Sequence, residues 1–447
     1  MKEREIALYA IIDILNEKAY NNIVLRKVLT KNKHLSMVQR AFITELVNGT
    51  LRNKINIDYI IGLYSRTPVE KMKPLILNNI RISVYQIIYM DKVPDSAAIN
   101  EAVELTKKRG FGTLAGFVNG VLRNIARNKD NIKYPNKEKD PVKYLSVKYS
   151  YPVWIIEYWL KELDTETIER ICLSNRVPPK VSACINTLKT DMPSLKKALS
   201  EDNIAVTSGV FKENALYLSK TRDITQTAAF SAGLYHVMDE SAMLAVDILA
   251  PKPGENILDC CAAPGGKSFY CAYKMQNKGR IYSADVYEHK LELIKNGVER
   301  LGIDIIDTVL GNAAVINEDF IGKMDRVLVD APCSGFGLFR KKPDIKYNKT
   351  EEDVESLAKV QRDILSNCQN YVKKGGCLVY STCTISIKEN LENVKWFCQE
   401  FDYELEDISK YLNFECPTAK DGYIQILPCD FNTDGFFIAR FRKKMIL

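Results

Sequence analysis

From His236 onward, short β-rich runs alternate with amphipathic helical stretches, a pattern that few folds accommodate. Residues 256–260, 281–284, 308–310, 327–329 and 378–380 are brief runs rich in branched and apolar side chains. Between the second and third, Leu291, Ile294, Val298 and Leu301 recur at spacings of three and four before Gly302. That spacing predicts a helix with one apolar face and a glycine stop. Strand and helix in turn predict an open, mostly parallel, doubly wound α/β sheet for residues 236–447.

In such a sheet, ligands bind beyond the carboxyl ends of the strands, where small residues let a ligand approach the backbone. The first predicted strand runs into Leu258-Asp259-Cys260-Cys261-Ala262-Ala263-Pro264-Gly265-Gly266-Lys267 and then a helix. Asp285, nineteen residues past Gly266, ends the next strand, where a carboxylate can accept both hydroxyls of a ribose. The G-x-G-x-x-G fingerprint of a dinucleotide oxidoreductase is missing. A tight turn with a surface Asp is the plain structural alternative. Lys267 opens a helix, where a cation is disfavoured, so a ligand-facing role is expected. Two cysteines follow strands at the same end: Cys333, after Asp330-Ala331-Pro332, and Cys383, after Ser381-Thr382. From the residues alone either thiol suits a nucleophile, and Asp330 suits the same crevice or a turn.

The segment before this sheet divides in two. Residues 1–130 read as consecutive helices: Ala7, Ala10, Ile11, Ile14 and Leu15 share a face, and Asp95-Ser96 can cap a helix running to Lys108. Residues 131–143 are polar and lysine-rich, as in a linker, and residues 144–235 mix helices with short apolar runs, an α+β pattern. Residues 1–140 carry 24 Lys and Arg against 14 Asp and Glu, so the chain's net charge of +7 is +10 here and −3 in the remainder. A cationic module of this kind suits a polyanion. Arg26, Lys27, Lys31, Lys33, Arg40, Arg52, Lys54, Lys107, Lys108 and Arg109 are candidate phosphate contacts, as is Arg340-Lys341-Lys342 after the Pro-Cys motif.

Other classes have little support. No apolar run of about 18 residues exists to span a membrane, and Met1-Lys2-Glu3-Arg4-Glu5 is unlike a secretory signal. Twelve cysteines are too sparse for a disulfide scaffold, so reduced thiols and a cytoplasmic location are expected. No C-x2-C pair occurs and His34, His236 and His289 are scattered, so no metal is expected. No G-x-S-x-G supports a Ser-His-Asp hydrolase.

Cys261-Ala262-Ala263-Pro264-Gly265-Gly266-Lys267 resembles the first motif of the RNA cytosine-5 methyltransferases. Asp285-Val286, Asp330-Ala331-Pro332-Cys333-Ser334-Gly335, Ser381-Thr382-Cys383-Thr384 and Asp434-Gly435-Phe436-Phe437-Ile438-Ala439-Arg440 agree in order. Upstream, Arg40-Ala41-Phe42, Asn100-Glu101-Ala102-Val103 and Phe117-Val118-Asn119-Gly120-Val121-Leu122-Arg123 are similar to the NusB-like RNA-binding domain fused to one branch of that family.

The resemblance implies a multidomain chain: an all-α NusB-like domain, a small ferredoxin-like α+β domain and a Rossmann-like methyltransferase domain. It implies S-adenosyl-L-methionine as cofactor and a cytosine of 16S, small-subunit, ribosomal RNA as substrate. Residues 261–267, Asp285, Asn312 and Asp330 would hold the cofactor, with Asp330 also near the base. By the same resemblance Cys383 attacks carbon 6 of the base and Cys333 assists release. DNA cytosine methyltransferases attack from a Pro-Cys motif, which keeps the reverse assignment open. The other ten cysteines are expected to pack as small hydrophobes. Two positions depart from the family: Gly311-Asn312-Ala313 replaces a Gly-Asp pattern at the adenine, and Cys184 stands where relatives carry Arg. An Asn carbonyl still accepts the adenine amino group, without the charge. A transfer RNA substrate and a non-catalytic assembly factor are the rival readings, and a monomer is expected.

Overall fold

The structure, a computed structural model, describes residues 2–17, 19–219 and 224–444. Its contacts separate two compact units, one of Met1–Val177 with Phe339–Asn348, the other of Pro178–Leu338 with Lys349–Leu447.

The first unit is helical. Pro74–Tyr89 is its central helix, buried on nearly every side from Ile76 to Ile87, as expected for a helix that packs all round. Arg81 on this helix is buried, and Asp58 accepts two hydrogen bonds from its guanidinium, at 2.6 and 2.8 Å. Ala7, Ala10, Ile11 and Ile14 are buried, while Leu15 is only half-buried. The helix Asp95–Lys108 forms, but Asp95 makes no cap; it pairs with Lys129 at 2.8 Å.

Sequence patterning and packing divide this unit differently. Residues 131–143, read as a linker, are pinned down: Tyr134 stacks on Tyr59 and lies under Lys148, and the Tyr59 hydroxyl donates to the Lys133 carbonyl. The helices Pro141–Tyr149, Val153–Leu160 and Thr165–Ser174, assigned from sequence to the middle region, belong to the helical unit. Asn56 supplies a physical reason: its amide, buried in the helix Lys54–Tyr64, donates to the Val147 carbonyl at 3.0 Å. Phe339–Asn348 also belongs here, with Phe339 against Tyr151 and Trp159. The Lys346 ammonium donates to the carbonyls of Arg52 and Ser150 and sits 4.2 Å from the Tyr151 ring centroid. Burial lowers its pKa to about 7.

The second unit contains two sheets. The strands β1 (Val181–Ile185), β2 (Ala205–Ser208), β3 (Ala215–Ser219) and β4 (Tyr235–Val237) pair antiparallel in the order β2-β3-β1-β4. The helix Met192–Glu201 follows β1 and the short helix Ala228–Ser231 precedes β4. This is the β-α-β-β-α-β arrangement of a ferredoxin-like fold.

The larger sheet comprises β5 (Asn256–Asp259), β6 (Arg280–Asp285), β7 (Ile306–Leu310), β8 (Met324–Asp330), β9 (Val372–Thr382), β10 (Tyr403–Leu405), β11 (Tyr423–Ile426) and β12 (Phe436–Lys443). Its order is β10-β12-β9-β8-β5-β6-β7, with β11 also on β12. From β7 to β9 the strands run parallel, and β10, β11 and β12 pair antiparallel. Strand order reverses beside β5, the switch point at which such sheets open a crevice. Val327, Leu328 and Val329 are fully buried, consistent with a sheet covered on both faces.

Candidate active site

Beyond β5 the chain keeps contact with both neighbouring strands: Cys260 N–H donates to Leu328 and Ala262 N–H to Ala284. Gly265 then adopts φ +106° just before the helix Gly266–Lys274. A Cβ at Gly265 would lie 2.5 Å from the Phe269 ring, so both conformation and space require glycine. The Gly266 carbonyl accepts from His236 Nε2 at 3.1 Å, while His236 Nδ1 accepts from the Tyr273 hydroxyl at 3.2 Å. Burial lowers the His236 pKa to about 3, keeping the ring neutral.

Asp259, at the end of β5, has a role that the sequence alone does not indicate. Ser268 donates to it at 2.7 Å and Ser283 lies 2.8 Å from Ser268, while its other oxygen is buried without a hydrogen-bond partner. Burial pushes the Asp259 carboxyl up to about 7 against the opposing pull of Ser268 and Lys267.

A cavity of about 290 Å³ opens beside these strands, walled by Leu258, Ala284, Val309, Ile316 and Phe320, with Asn312 at its lining. Asp285 lies next to it through a hydrogen bond from Gly311 N–H to the Asp285 carbonyl. Its carboxylate accepts from Tyr287 N–H at 3.1 Å and lies 3.7 Å from Lys290. Apolar walls with a carboxylate nearby fit the nucleoside part of S-adenosyl-L-methionine. Asn312 Oδ1 already accepts from Ala314 N–H at 3.0 Å, leaving one lone pair for a ligand amino group. The run 261–267 does not line this cavity; it forms the turn at the end of β5.

A second constellation lies at the ends of β8 and β9. Parallel register sets Asp330 beside Ser381. Ser381 donates to one oxygen of Asp330 at 2.8 Å and Lys267 pairs with the other at 2.6 Å. Burial works against the Lys267 charge, but Asp330 more than compensates and raises its pKa. The carboxylate partner explains how a cation tolerates the first turn of a helix. Cys333 and Cys383, fifty residues apart in sequence, bring their sulfurs to 3.2 Å. The Cys333 thiol is pushed well above its usual range, first by its contact with Cys383, then by burial and by the charges of Cys383 and Glu389.

Residues in no recognisable pattern hold the two thiol loops. Glu389, fully buried, accepts from Ser334 N–H at 2.8 Å, Ser334 Oγ at 2.5 Å and Gln361 Nε2 at 3.0 Å. Burial raises its pKa, against the pull of those donors. Asn390 accepts from Thr382 Oγ1 at 2.6 Å and donates to the Thr384 carbonyl at 3.1 Å. Of the ten other cysteines six are buried; Cys261, Cys398, Cys416 and Cys429 are only half-buried, so burial divides the cysteines less cleanly than expected.

The expected phosphate contacts separate into free and engaged cations. Arg26, Lys27 and Lys31 line one concavity on the exposed face of the helix Asn21–Lys31, and Lys33 follows them, also exposed. Lys54 pairs with Asp58, Lys107 with Glu104, and Lys108 and Arg109 with the buried Glu5. Arg40 donates to the Leu29 carbonyl. Arg52 and Arg340 are buried, and Arg52 donates to the Arg340 carbonyl. These two cannot serve as surface contacts, because helix packing consumes them.

Similarity to known proteins runs along the whole chain. Residues 1–127 match the NusB family, residues 151–225 the RsmF/B-like ferredoxin-like domain, and residues 246–442 the 16S rRNA methyltransferase RsmB/F family. The chain is 43% identical over 445 residues to the probable ribosomal RNA small subunit methyltransferase B of Bacillus subtilis, covering 99% of this chain and 98% of that protein. It is 30% identical to ribosomal RNA small subunit methyltransferase B of Shewanella oneidensis, with 99% of each chain covered. Among solved structures, the crystal structure of PH0851 superposes with a TM-score of 0.82 at 26% identity, covering 99% of this chain and 98% of that one. A methyltransferase homologue from Pyrococcus horikoshii gives 0.58 at 30% identity, covering 67% of this chain and 97% of its own. With a relative this similar along its whole length, and three family matches in sequence order, the chain belongs to the 16S rRNA methyltransferase RsmB/F family.

Proposed function

We propose that this chain methylates carbon 5 of a cytosine in 16S ribosomal RNA, with Cys383 as nucleophile, Cys333 assisting release and Asp330 holding the base. The observation that carries this reading is the 3.2 Å approach of the two sulfurs beside the Lys267–Asp330 pair. Asp285 and Asn312 would hold S-adenosyl-L-methionine, whose sulfonium would give up its methyl group to carbon 5, the carbon–sulfur bond breaking as the new carbon–carbon bond forms.

Carbon 5 of cytosine is a poor nucleophile until a thiolate adds to carbon 6 and makes the ring electron-rich. Two thiols at this separation do not readily both ionise, so while Cys383 is the thiolate, Cys333 keeps its proton and donates to it. Asp330, an acceptor fixed by Lys267 and Ser381, presents its remaining lone pairs to the amino group of the base. Once Cys383 sulfur is bonded to carbon 6 its charge is gone, and with it one cause of the high Cys333 pKa. Cys333 then gives its proton to water and accepts the proton of carbon 5. The released electron pair restores the ring double bond and expels the Cys383 thiolate. The base must be unstacked for any of this, since carbon 6 is unreachable within a helix. Arg26, Lys27, Lys31 and Lys33 supply the phosphate contacts that hold the RNA. The ribosomal substrate is favoured over transfer RNA because the full-length relatives named above are small-subunit methyltransferases.

Transfer of labelled methyl groups to small-subunit ribosomal RNA tests the roles. Cys383→Ala is expected to be inactive and to form no covalent adduct, whereas Cys333→Ala accumulates RNA-linked protein. The opposite pattern would reverse the assignment.

A further inference from the structure

The two thiol loops are held by adjacent residues. Glu389 and Asn390 lie at the start of the helix Leu391–Glu400, and both side chains are buried. Glu389 grips the Cys333 loop. One carboxylate oxygen takes the Ser334 N–H and the other the Ser334 hydroxyl. Gln361 reinforces this hold, since its amide nitrogen donates both to Glu389 and to the Pro332 carbonyl at 2.9 Å. Asn393 in turn donates to the Gln361 side-chain oxygen at 2.9 Å. Asn390 grips the Cys383 loop on both sides of the thiol, through Thr382 Oγ1 and the Thr384 carbonyl, and its amide also donates to Gln425 Oε1 at 2.8 Å. The loops meet directly where Ser334 Oγ lies 2.8 Å from Thr384 Oγ1.

A buried carboxylate is costly, and a purely structural tie between two loops needs no charge. Here three donors converge on one carboxylate directly behind Cys333, while a neutral amide serves Cys383. We infer that Glu389 and Asn390 form a paired positioning device, Glu389 setting Cys333 for release and Asn390 setting Cys383 for attack. Neither touches the reacting atoms; each acts through the loop it holds. The inference rests on the thiol roles proposed above.

The device predicts that adjacent substitutions have opposite effects. The full-length protein would be mixed with labelled S-adenosyl-L-methionine and a small-subunit ribosomal RNA transcript. RNA-linked protein and released methylated RNA would then be quantified separately. Glu389→Ala is expected to raise the ratio of adduct to released product about tenfold, in the direction of Cys333→Ala, with Glu389→Gln in between because its carbonyl still accepts one bond. Asn390→Ala is expected to lower adduct and product together about tenfold, in the direction of Cys383→Ala, with Asn390→Asp restoring part of the activity. Thermal melting and equilibrium binding of S-adenosyl-L-methionine identify any variant that fails to fold, in which case the conservative variant carries the comparison. A common effect on adduct and product at both positions, or a wild-type ratio in both Glu389 variants, would overturn the inference. Adduct formation by Cys383→Ala in the same assay would instead overturn the thiol assignment, an arm that involves neither Glu389 nor Asn390.

Discussion

Lys267, in the first turn of the helix after β5, reaches the carboxylate that ends β8 and pairs with Asp330 at 2.6 Å. The pair ties the turn of the first motif to the strand that leads into the Pro-Cys loop. Lys267→Met leaves the Asp330 carboxylate without its cation, and Asp330→Asn removes the charge that offsets the burial of Lys267. Each is expected to lower kcat/KM about 100-fold, as for removal of one preorganised polar group. The double variant should fall well short of the product of the two, because the residues act as a unit. Multiplicative loss in a double-mutant cycle would show that they act separately.

Asp259 gives stability a pH dependence with a definite sign. Its carboxyl is raised to about 7 in the folded protein and is near 3.9 in an unfolded chain. It therefore contributes stability that is complete below pH 3.9 and is lost as the pH rises toward 7. Asp259→Asn, which carries no proton to lose, should gain on the wild type by about 4 kcal/mol between pH 4 and pH 8. His236, held neutral, acts oppositely below pH 6.5, so the difference between the two proteins is the quantity to follow. Denaturant unfolding at several pH values checks it; parallel curves would contradict a raised Asp259.

Glycines at two positions should respond oppositely to alanine. A Cβ at Gly337 would lie 1.9 Å from the Gly435 carbonyl oxygen, backbone against backbone. Gly337 also donates to the Cys383 carbonyl and accepts from Gly435 N–H. Gly337→Ala is expected to cost about 3 kcal/mol and to reduce methyl transfer by displacing the Cys383 loop. Gly120, exposed within the helix Ala115–Asn128, has no atom within 4 Å of the added carbon. Gly120→Ala should gain about 0.5–1 kcal/mol. Urea unfolding measures both, and equal effects would refute the contrast.

RNA affinity should depend on which cations are free. Replacing Arg26, Lys27 and Lys31 with Ala is expected to reduce the salt dependence of RNA binding by about one unit of slope for each phosphate left without its cation. Replacing Lys107, already paired with Glu104, should change it less. Binding titrations at several salt concentrations report the slope, and an unchanged slope in the triple variant would remove this helix from the interface.

The order of strands and helices was legible because β5 and β8 are largely buried and carry apolar runs, while β6 buries alternate residues, the period of a strand. Motif residues were legible because their types are chemically demanding. Contacts made over long sequence distances were not. Glu389 lies 55 residues from Ser334, and nothing in its local sequence marks that contact. Nothing in the local sequence sets Lys346 apart from a surface lysine, whereas its ammonium is buried among carbonyls and an aromatic ring. The sum of charge over residues 1–140 revealed a cationic module but not which lysines and arginines were already paired.

On the roles proposed above, Cys383 and not Cys333 bonds to the base. Cys333→Ala protein would be incubated with ribosomal RNA and S-adenosyl-L-methionine, digested with nuclease and protease, and analysed by mass spectrometry for a peptide carrying a methylated cytidine nucleotide. That nucleotide is expected on the peptide containing Cys383, and is expected to be absent when Cys383 is also replaced. In the converse Cys383→Ala protein, a nucleotide on the peptide containing Cys333 would contradict those roles.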